Sequence, residues 1–417
     1  MSYTLRILIN LGRSERIFRT DEAATTGTLA SALDLGSELA NRGHDVHLFS
    51  SNAETGPFRG MHVHPRNHLA DFAEEPVDVF ILTPDLLPLL MPIRARARVV
   101  WTGSGYVGGD SLVRFRAQDS EGVVRWFHLF PVDAVASLVD RMVVGSEWQR
   151  GRMHPFPSDR IRVRNLGVRL EWFRSLDPHR ASNRLVYASS ARYGLDLLLG
   201  FVPEITRRFP DAVLHAFASV SGESVDRVVL RGRIPRPQLA VELLQSGLMA
   251  YPNMVSETFS VAVAEAQAAG LPVVTSARAA LAERVRHGVD GILIEGDPRS
   301  AEYGERFINA AVGLLEDPGA ARRLGKEGRD RAFDEYSWER IAEEWESDLI
   351  ELIDGRRASL PAPDSFRVDK PIFAQTRGTT IELSVRRATT EVAAAWSAYG
   401  FDPRSMLALT FRNPHES

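Results

Sequence analysis

The chain has 417 residues, more than one hydrophobic core organises, since single cores stop growing near ~250 to 300 residues. Hydrophobic residues are 44% and charged residues 25%, ordinary for a globular protein, and a formal net charge of −4 leaves no global positive field to hold a nucleic-acid backbone. There is no cysteine, which excludes disulfide frameworks, thiolate metal sites and cysteine nucleophiles together. The basic residues are 48 arginines with only Lys326 and Lys370, so a phosphate clamp has to be built from guanidinium or backbone N–H groups.

The opening run MSYTLRILIN is too short and too interrupted by Arg6 for a signal peptide or a spanning helix, so the cytoplasm is the expected compartment. Short aliphatic runs then recur between helical patterns at 5–10, 46–50, 77–82, 97–102 and 141–146, the alternation of a doubly wound parallel sheet. A helix is expected from Leu29 to Asn41, stopped by Gly43. After the polar stretch 177–183 the pattern restarts at 184–189, 212–217, 247–252, 271–276 and 291–296. Helices follow over Tyr303 to Glu316 and Gly319 to Glu335, separated by Pro318. A last helix, Ser337 to Leu352, carries Trp338, Ile341, Trp345, Leu349 and Leu352 on one face. The proline-rich stretch beyond it reads as an appendage with one short helix near Thr390 to Tyr399.

The strongest chemical signal is SETFSVAVAEAQAAGLPVVTS, residues 256–276. From Ser260 it predicts a helix apolar on nearly every side, hence buried, with Glu265 in its middle and no Lys or Arg three or four residues away. Such a carboxylate needs donors from outside its helix, and a ligand diol can supply them. Glu257, just ahead of the helix, can share a cleft with the free N–H groups of Phe259, Ser260 and Val261, where the helix dipole favours an anion. The plainer alternative is that Glu257 only complements the dipole and Glu265 finds a backbone partner.

Glu257 and Glu265, with seven residues between them and the run Ala-Gly-Leu-Pro-Val-Val after them, resemble the E-x7-E motif of the retaining family 4 glycosyltransferases. The likeness extends to RGHDVHLFS (42–50), SEWQR (146–150), NLGV (165–168), YASSARYGLDLLLGFVPEI (187–205), RGRIPRPQLAVELL (231–244) and ALAERVRHGVDGILI (280–294). It covers residues 5 to 352 or so. The resemblance implies an α/β chain of two Rossmann-like domains facing a cleft, the GT-B fold, with a C-terminal helix crossing back to the first domain and a tail behind it. The divisions are an acceptor domain at 1–178, a donor domain at 183–336, the crossover helix at 337–355 and the appendage at 356–417.

The implied activity is transfer of a sugar, with retention, from a nucleotide-diphosphate sugar with UDP or GDP to a small-molecule acceptor in specialised-metabolite or small-thiol biosynthesis. No cofactor and no metal is expected, nor a nucleic-acid partner or stable membrane insertion; a homodimer is left open. Carried over residue by residue, Glu265 binds the donor ribose, while Glu257 with Thr258, Phe259, Ser260 and Val261 holds the transferring sugar and distal phosphate. Ser189, Ser190, Arg233, Gly27 and Thr28 complete the donor site. The chain departs from the family at Tyr193, which stands about where a phosphate-binding Lys belongs, leaving Arg192 as the clamp. It departs again at Trp101-Thr102-Gly103, where a His commonly follows the middle strand, so His128 is the remaining candidate.

Other patterns carry less. Gly103-Ser-Gly105-Tyr-Val-Gly108 follows a late strand and lacks the helix of a dinucleotide site. His62, His64 and His68 have a ligand-like spacing but alternate as in a strand with no completing carboxylate. LLPLLMPIRARAR (86–98) reads as a packed helix and loop in preference to a membrane contact. No G-x-S-x-G elbow and no P-loop occurs. The rival readings are a GT-B nucleotide-sugar 2-epimerase and a catalytically silent sugar-nucleotide-binding protein.

Overall fold

The computed structural model describes residues 3–11, 27–50, 53, 55–83, 87–103, 114–118, 124–128, 138–154, 156–175, 180–219, 226–355 and 397. The expectations for the glycine pattern beyond Gly103, for 177–179 at the domain junction and for the tail fall outside the described residues, residue 397 apart.

In the first half the chain runs through β1 (Arg6–Asn10), α1 (Gly27–Asn41), β2 (Asp45–Ser50), β3 (Gly56–Phe58), β4 (Met61–Pro65), β5 (Val77–Leu82) and β6 (Ala95–Trp101). It continues through β7 (Arg114–Gln118), β8 (Val124–His128), β9 (Arg141–Val144), the single-turn α2 (Glu147–Arg150) and β10 (Ile161–Val163). Eight strands form one sheet in the order β10-β9-β6-β5-β1-β2-β4-β3, parallel except where β3 meets β4, and β7 and β8 pair apart as an antiparallel ribbon. Successive side chains of a strand point to opposite faces, so β1 sends Ile7 and Ile9 into one core and Leu8 into another. That double burial is why these strands read as unbroken apolar runs. Gly43, at φ 95°, supplies the left-handed turn that ends the α1 segment.

The second half holds β11 (Arg184–Tyr187), α3 (Leu195–Arg208), β12 (Val213–Ala216), β13 (Val228–Leu230), α4 (Arg236–Leu244) and β14 (Leu248–Tyr251). Then come α5 (Val261–Ala268), β15 (Val273–Ser276), the short α6 (Leu281–Arg284), β16 (Ile292–Ile294), α7 (Ala301–Glu316) and α8 (Pro318–Glu335). Six strands order as β13-β12-β11-β14-β15-β16, all parallel. The chain starts at the sheet's centre, winds one way and then the other, and the switch lies between β11 and β14. Ligand crevices of open α/β sheets form beyond the strand ends at such a point. Pro318 opens α8 at a position where its missing N–H costs nothing, and the Asp317 side chain accepts from Ala320 N at 2.9 Å.

The last helix, α9 (Trp338–Asp354), crosses back to the first domain as expected, two residues longer at its end than the apolar stripe implies. Ser337 caps it by accepting from Arg340 N at 3.1 Å. Trp338, Ile341, Trp345, Leu349 and Ile353 are buried with the residues of α1 and the first sheet, and Trp345 meets Trp101 edge-on at 5.3 Å between ring centroids. Arg141 and Arg164 bind the far half of the helix, Nη1 of Arg141 to Asp348 O at 2.8 Å and Nη2 of Arg164 to the Asp348 carboxylate at 2.7 Å.

Unforeseen in the sequence are β3, the β7–β8 ribbon, β10 and β13. β10 and β13 are three residues long, and arginines flank or enter both, so neither leaves a periodic signature. His62 and His64 do lie on a strand, β4, and among the described residues no cluster of three side chains suits a metal ion.

Truncating Trp345 to Ala removes the largest fully buried side chain between α9 and the first domain. The Trp345→Ala variant should lose about 3–5 kcal/mol of stability by urea unfolding, and a loss under ~1 kcal/mol would show that the helix does not depend on this contact.

Candidate functional site in the interdomain cleft

A cleft of about 620 Å³ opens between the domains, lined by Gly27, Gly103 and Leu166 on the first side and by the ends of β11, β12 and β14 with their following loops on the second. Its floor is the start of α5. That helix buries all of Val263 to Ala268, so its polar ends must be served by other parts of the protein. At the C-terminal end Arg180 donates to Gly270 O at 2.7 Å and also to Ala269 O, and Arg329 donates to Ala268 O. These cations meet the negative pole of the helix, while the N-terminal pole faces the cleft. The N-cap, Ser260, stands at φ 74°, a left-handed conformation that costs roughly 1–2 kcal/mol for a residue with a Cβ. Its buried hydroxyl lies toward Glu257 without completing a hydrogen bond of good geometry.

Glu257 is held from below. Its Oε1 accepts from Asn253 Nδ2 at 2.6 Å and from the Tyr251 hydroxyl, which also meets Ser189 Oγ at 3.1 Å. Burial raises the Glu257 carboxyl above its usual range against these hydrogen bonds, and the neighbouring carboxylate in turn holds the buried Tyr251 phenol well up after burial itself. The first strand-to-helix loop is tied to the same segment, since Met254 N donates to Tyr193 O at 3.0 Å. Gly194 is required there: it sits at φ 134°, and a Cβ would fall 1.8 Å from Pro252 O. Just ahead of it Arg192 lies over the Tyr193 ring at 5.0 Å and donates to its hydroxyl at 3.2 Å. Tyr193, at the position where the resemblance calls for a Lys, thus orients the one cation of this loop.

Glu265 is not left to a ligand for its charge partner, which corrects the expectation drawn from its own helix. Arg236, at the start of α4, donates Nε at 3.2 Å and Nη2 at 2.5 Å to Oε1, and the two side chains keep only 12% and 8% of their surface. The sequence names Arg233 in the same loop; nothing local separates it from Arg236, which reaches Glu265 only through the packing of α4 against α5.

The cleft therefore gathers Glu257, Glu265, Arg192, Ser189, Ser190, Thr258, Phe259, Ser260, Val261, Arg233 and Gly27. Thr258 bridges the domains by donating to Gly103 O at 3.2 Å. Glu283 accepts from Glu147 N and Trp148 N, at 3.0 and 2.6 Å, on the other side of the same boundary. For two expected residues, His128 in β8 and Thr28 in α1, the side chains lie outside the described residues.

Behind the cleft a second recess of about 320 Å³ holds Asp34 of α1 with Arg59, Arg169 and Glu171. Asp34 Oδ1 lies 2.9 Å from Arg59 Nη1 and 3.9 Å from Arg169 Nε. Burial pushes its carboxyl up to about 6, against the pull of Arg236 and Arg169.

Residues 182–317 match the family model described as Glycosyl transferases group 1. The chain is 30% identical over 190 residues to the GDP-mannose-dependent alpha-(1-6)-phosphatidylinositol monomannoside mannosyltransferase of Mycolicibacterium smegmatis, covering 41% of this chain and 47% of the relative. It is 26% identical over 249 residues to the D-inositol 3-phosphate glycosyltransferase of Thermobispora bispora, covering 50% and 55%. The matches span about half the length of these curated relatives. Among solved structures, the sucrose-phosphate synthase of Thermosynechococcus elongatus superposes with a TM-score of 0.61 at 18% identity, over 84% of this chain and 100% of that one. Anabaena HepE in complex with UDP-glucose gives 0.61 at 14% identity, over 83% and 100%. The fold is GT-B, two parallel-sheet domains about a cleft. Within that class, residues 182–317 are similar to the group 1 glycosyl transferases, and the curated relatives that match are mannosyl- and glycosyltransferases.

The raised Asp34 carboxyl has a sign. Its native pKa exceeds its unfolded value, so the native state holds the extra proton between pH ~4 and ~6 and loses stability as pH rises through that window. Asp34→Asn should remove the slope, shifting the difference in unfolding free energy toward the variant by roughly 2–3 kcal/mol from pH 4 to pH 7. A difference that stays constant with pH would contradict the assignment.

Proposed function

We propose that the protein is a retaining glycosyltransferase that moves a sugar from a nucleotide-diphosphate sugar, with UDP or GDP as the carrier, to a small-molecule acceptor, without a metal ion. The observation that carries this reading is the pair of buried carboxylates, Glu257 and Glu265, set on either side of the N-terminus of α5 at the cleft. Two relatives named for mannosyl or glycosyl transfer to inositol-containing acceptors, and a fold neighbour crystallised with UDP-glucose, support the donor class.

In this reading the chemical problem is the departure of a diphosphate from the anomeric carbon. The bond from that carbon to the phosphate oxygen breaks as the acceptor oxygen bonds on the same face, and the acceptor proton passes to the departing phosphate. Positive charge must wait where negative charge develops. Arg192 and the N–H groups at the start of α5 supply it. Glu257, held by Tyr251 and Asn253, accepts from the hydroxyls of the transferring sugar, and Glu265 accepts from the ribose hydroxyls. The acceptor would enter from the first domain, near Gly27 and Gly103.

Arg192→Ala should lower turnover by ~10²-fold with a smaller effect on nucleoside monophosphate binding, because the lost contact acts on the leaving diphosphate. EDTA should leave turnover unchanged. Radiolabel must pass from donor to an added acceptor. Release of an epimerised sugar with no acceptor dependence would favour the 2-epimerase instead, and equal loss of monophosphate and diphosphate binding in Arg192→Ala would remove the clamp role.

A further inference from the structure

Arg236 is a nearly buried guanidinium that reaches into the cleft from the first turn of α4, yet its bonds go to the protein. Both of its contacts to Glu265 fall on Oε1, and among the described residues none donates to Oε2. Its guanidinium carbon lies 5.9 Å from the centre of the Trp172 ring, in the segment that leads out of the first domain, and Arg169 lies at 4.9 Å from the same ring. Beyond stands Asp34 of α1, paired with Arg59 at 2.9 Å and with Arg169 at 3.9 Å.

We propose that Arg236 is a positioning residue: by donating to Oε1 from the first turn of α4 it fixes the Glu265 carboxylate with Oε2 presented to the donor's ribose hydroxyls. The inference rests on the donor-site reading above. The physical ground is that a carboxylate buried in an apolar helix keeps its charge only beside a partner. The groups bearing on the pair are Arg236 on α4, Asp34 on α1, Arg59, and Arg169 and Glu171 on the connecting segment, while Arg180 and Arg329 serve the opposite end of α5. Without Arg236, Oε1 would lose both of these donors and the carboxylate its orientation toward the ribose.

The test is a double-mutant cycle on the full chain, with UDP and GDP affinity measured by calorimetry at neutral pH. Each variant is compared with the wild type at the same pH, so that the nucleotide's own phosphate titration cancels. For whichever nucleotide binds the wild type, Glu265→Gln should weaken affinity by ~10-fold or more. Arg236→Met should weaken it comparably, whereas Arg236→Lys, which keeps a cationic donor on the same side of the carboxylate, should retain more of the affinity than Arg236→Met. The double variant Glu265→Gln/Arg236→Met carries no buried charge at this pair and should bind no worse than Glu265→Gln. An additional loss of ~5-fold or more in the double variant overturns the proposal, and so does wild-type affinity in Arg236→Met. Should Arg236→Met alone fail to fold, the double variant decides between these outcomes. Wild-type affinity in a folded Glu265→Gln protein would instead sink the donor-site reading itself.

Discussion

Removing a carboxylate from water without a partner costs several kcal/mol, and the second domain places two of them at one buried helix. Glu257 and Glu265 can stand there only because the surroundings supply donors: Tyr251 and Asn253 for the first, Arg236 for the second. The rest of the cleft follows from that requirement. Tyr251 ends β14 and Asn253 lies just past it, so the strand that builds the sheet also orients a site residue. Arg236 opens α4, so that helix must pack on α5. Arg180 and Arg329 hold the opposite pole of α5, which leaves its N-terminus facing the space between the domains.

That space exists because two sheets of similar winding are clasped at several points. Thr258 binds Gly103 O, Glu283 caps the single turn at Glu147, Arg284 donates to Asn165 Oδ1 at 2.8 Å, and α9 returns to seat Trp338 and Trp345 in the first domain's core. Gly145 permits one of these approaches, since a Cβ there would stand 2.9 Å from Thr258 O. The segment bearing Glu257 is thus pressed against the first domain, where a second substrate would enter. Trp172 has both Arg169 and Arg236 near its ring, at 4.9 and 5.9 Å from the centroid, and Arg169 reaches on to Asp34 at 3.9 Å.

Much of this was legible in the sequence, for stated reasons. Buried parallel strands read as apolar runs, and a helix apolar on every side, such as α5, announces its own burial. The spacing of Trp338, Ile341, Trp345 and Leu349 showed a face that needed a partner. What could not be read were long-range pairings. Arg236 and Glu265 are twenty-nine residues apart on different helices, and only the packing of α4 on α5 joins them. Asp34 looks like an ordinary polar residue of an amphipathic helix; its burial depends on Arg59 and Arg169 arriving from elsewhere. The role of Tyr193 was likewise hidden: as a sequence it is a missing Lys, and in the fold it is the platform on which Arg192 lies.

The central claim is that the N-terminus of α5 and its two carboxylates form a nucleotide-diphosphate-sugar site. A crystal structure of the full chain with bound UDP or GDP tests it most directly. The account predicts the ribose hydroxyls within hydrogen-bond distance of Glu265, with the Glu265–Arg236 pair intact and the distal phosphate between Arg192 and the N–H groups at Ser260 and Val261. A nucleotide bound elsewhere, or one in this cleft with its ribose turned away from Glu265, would contradict it.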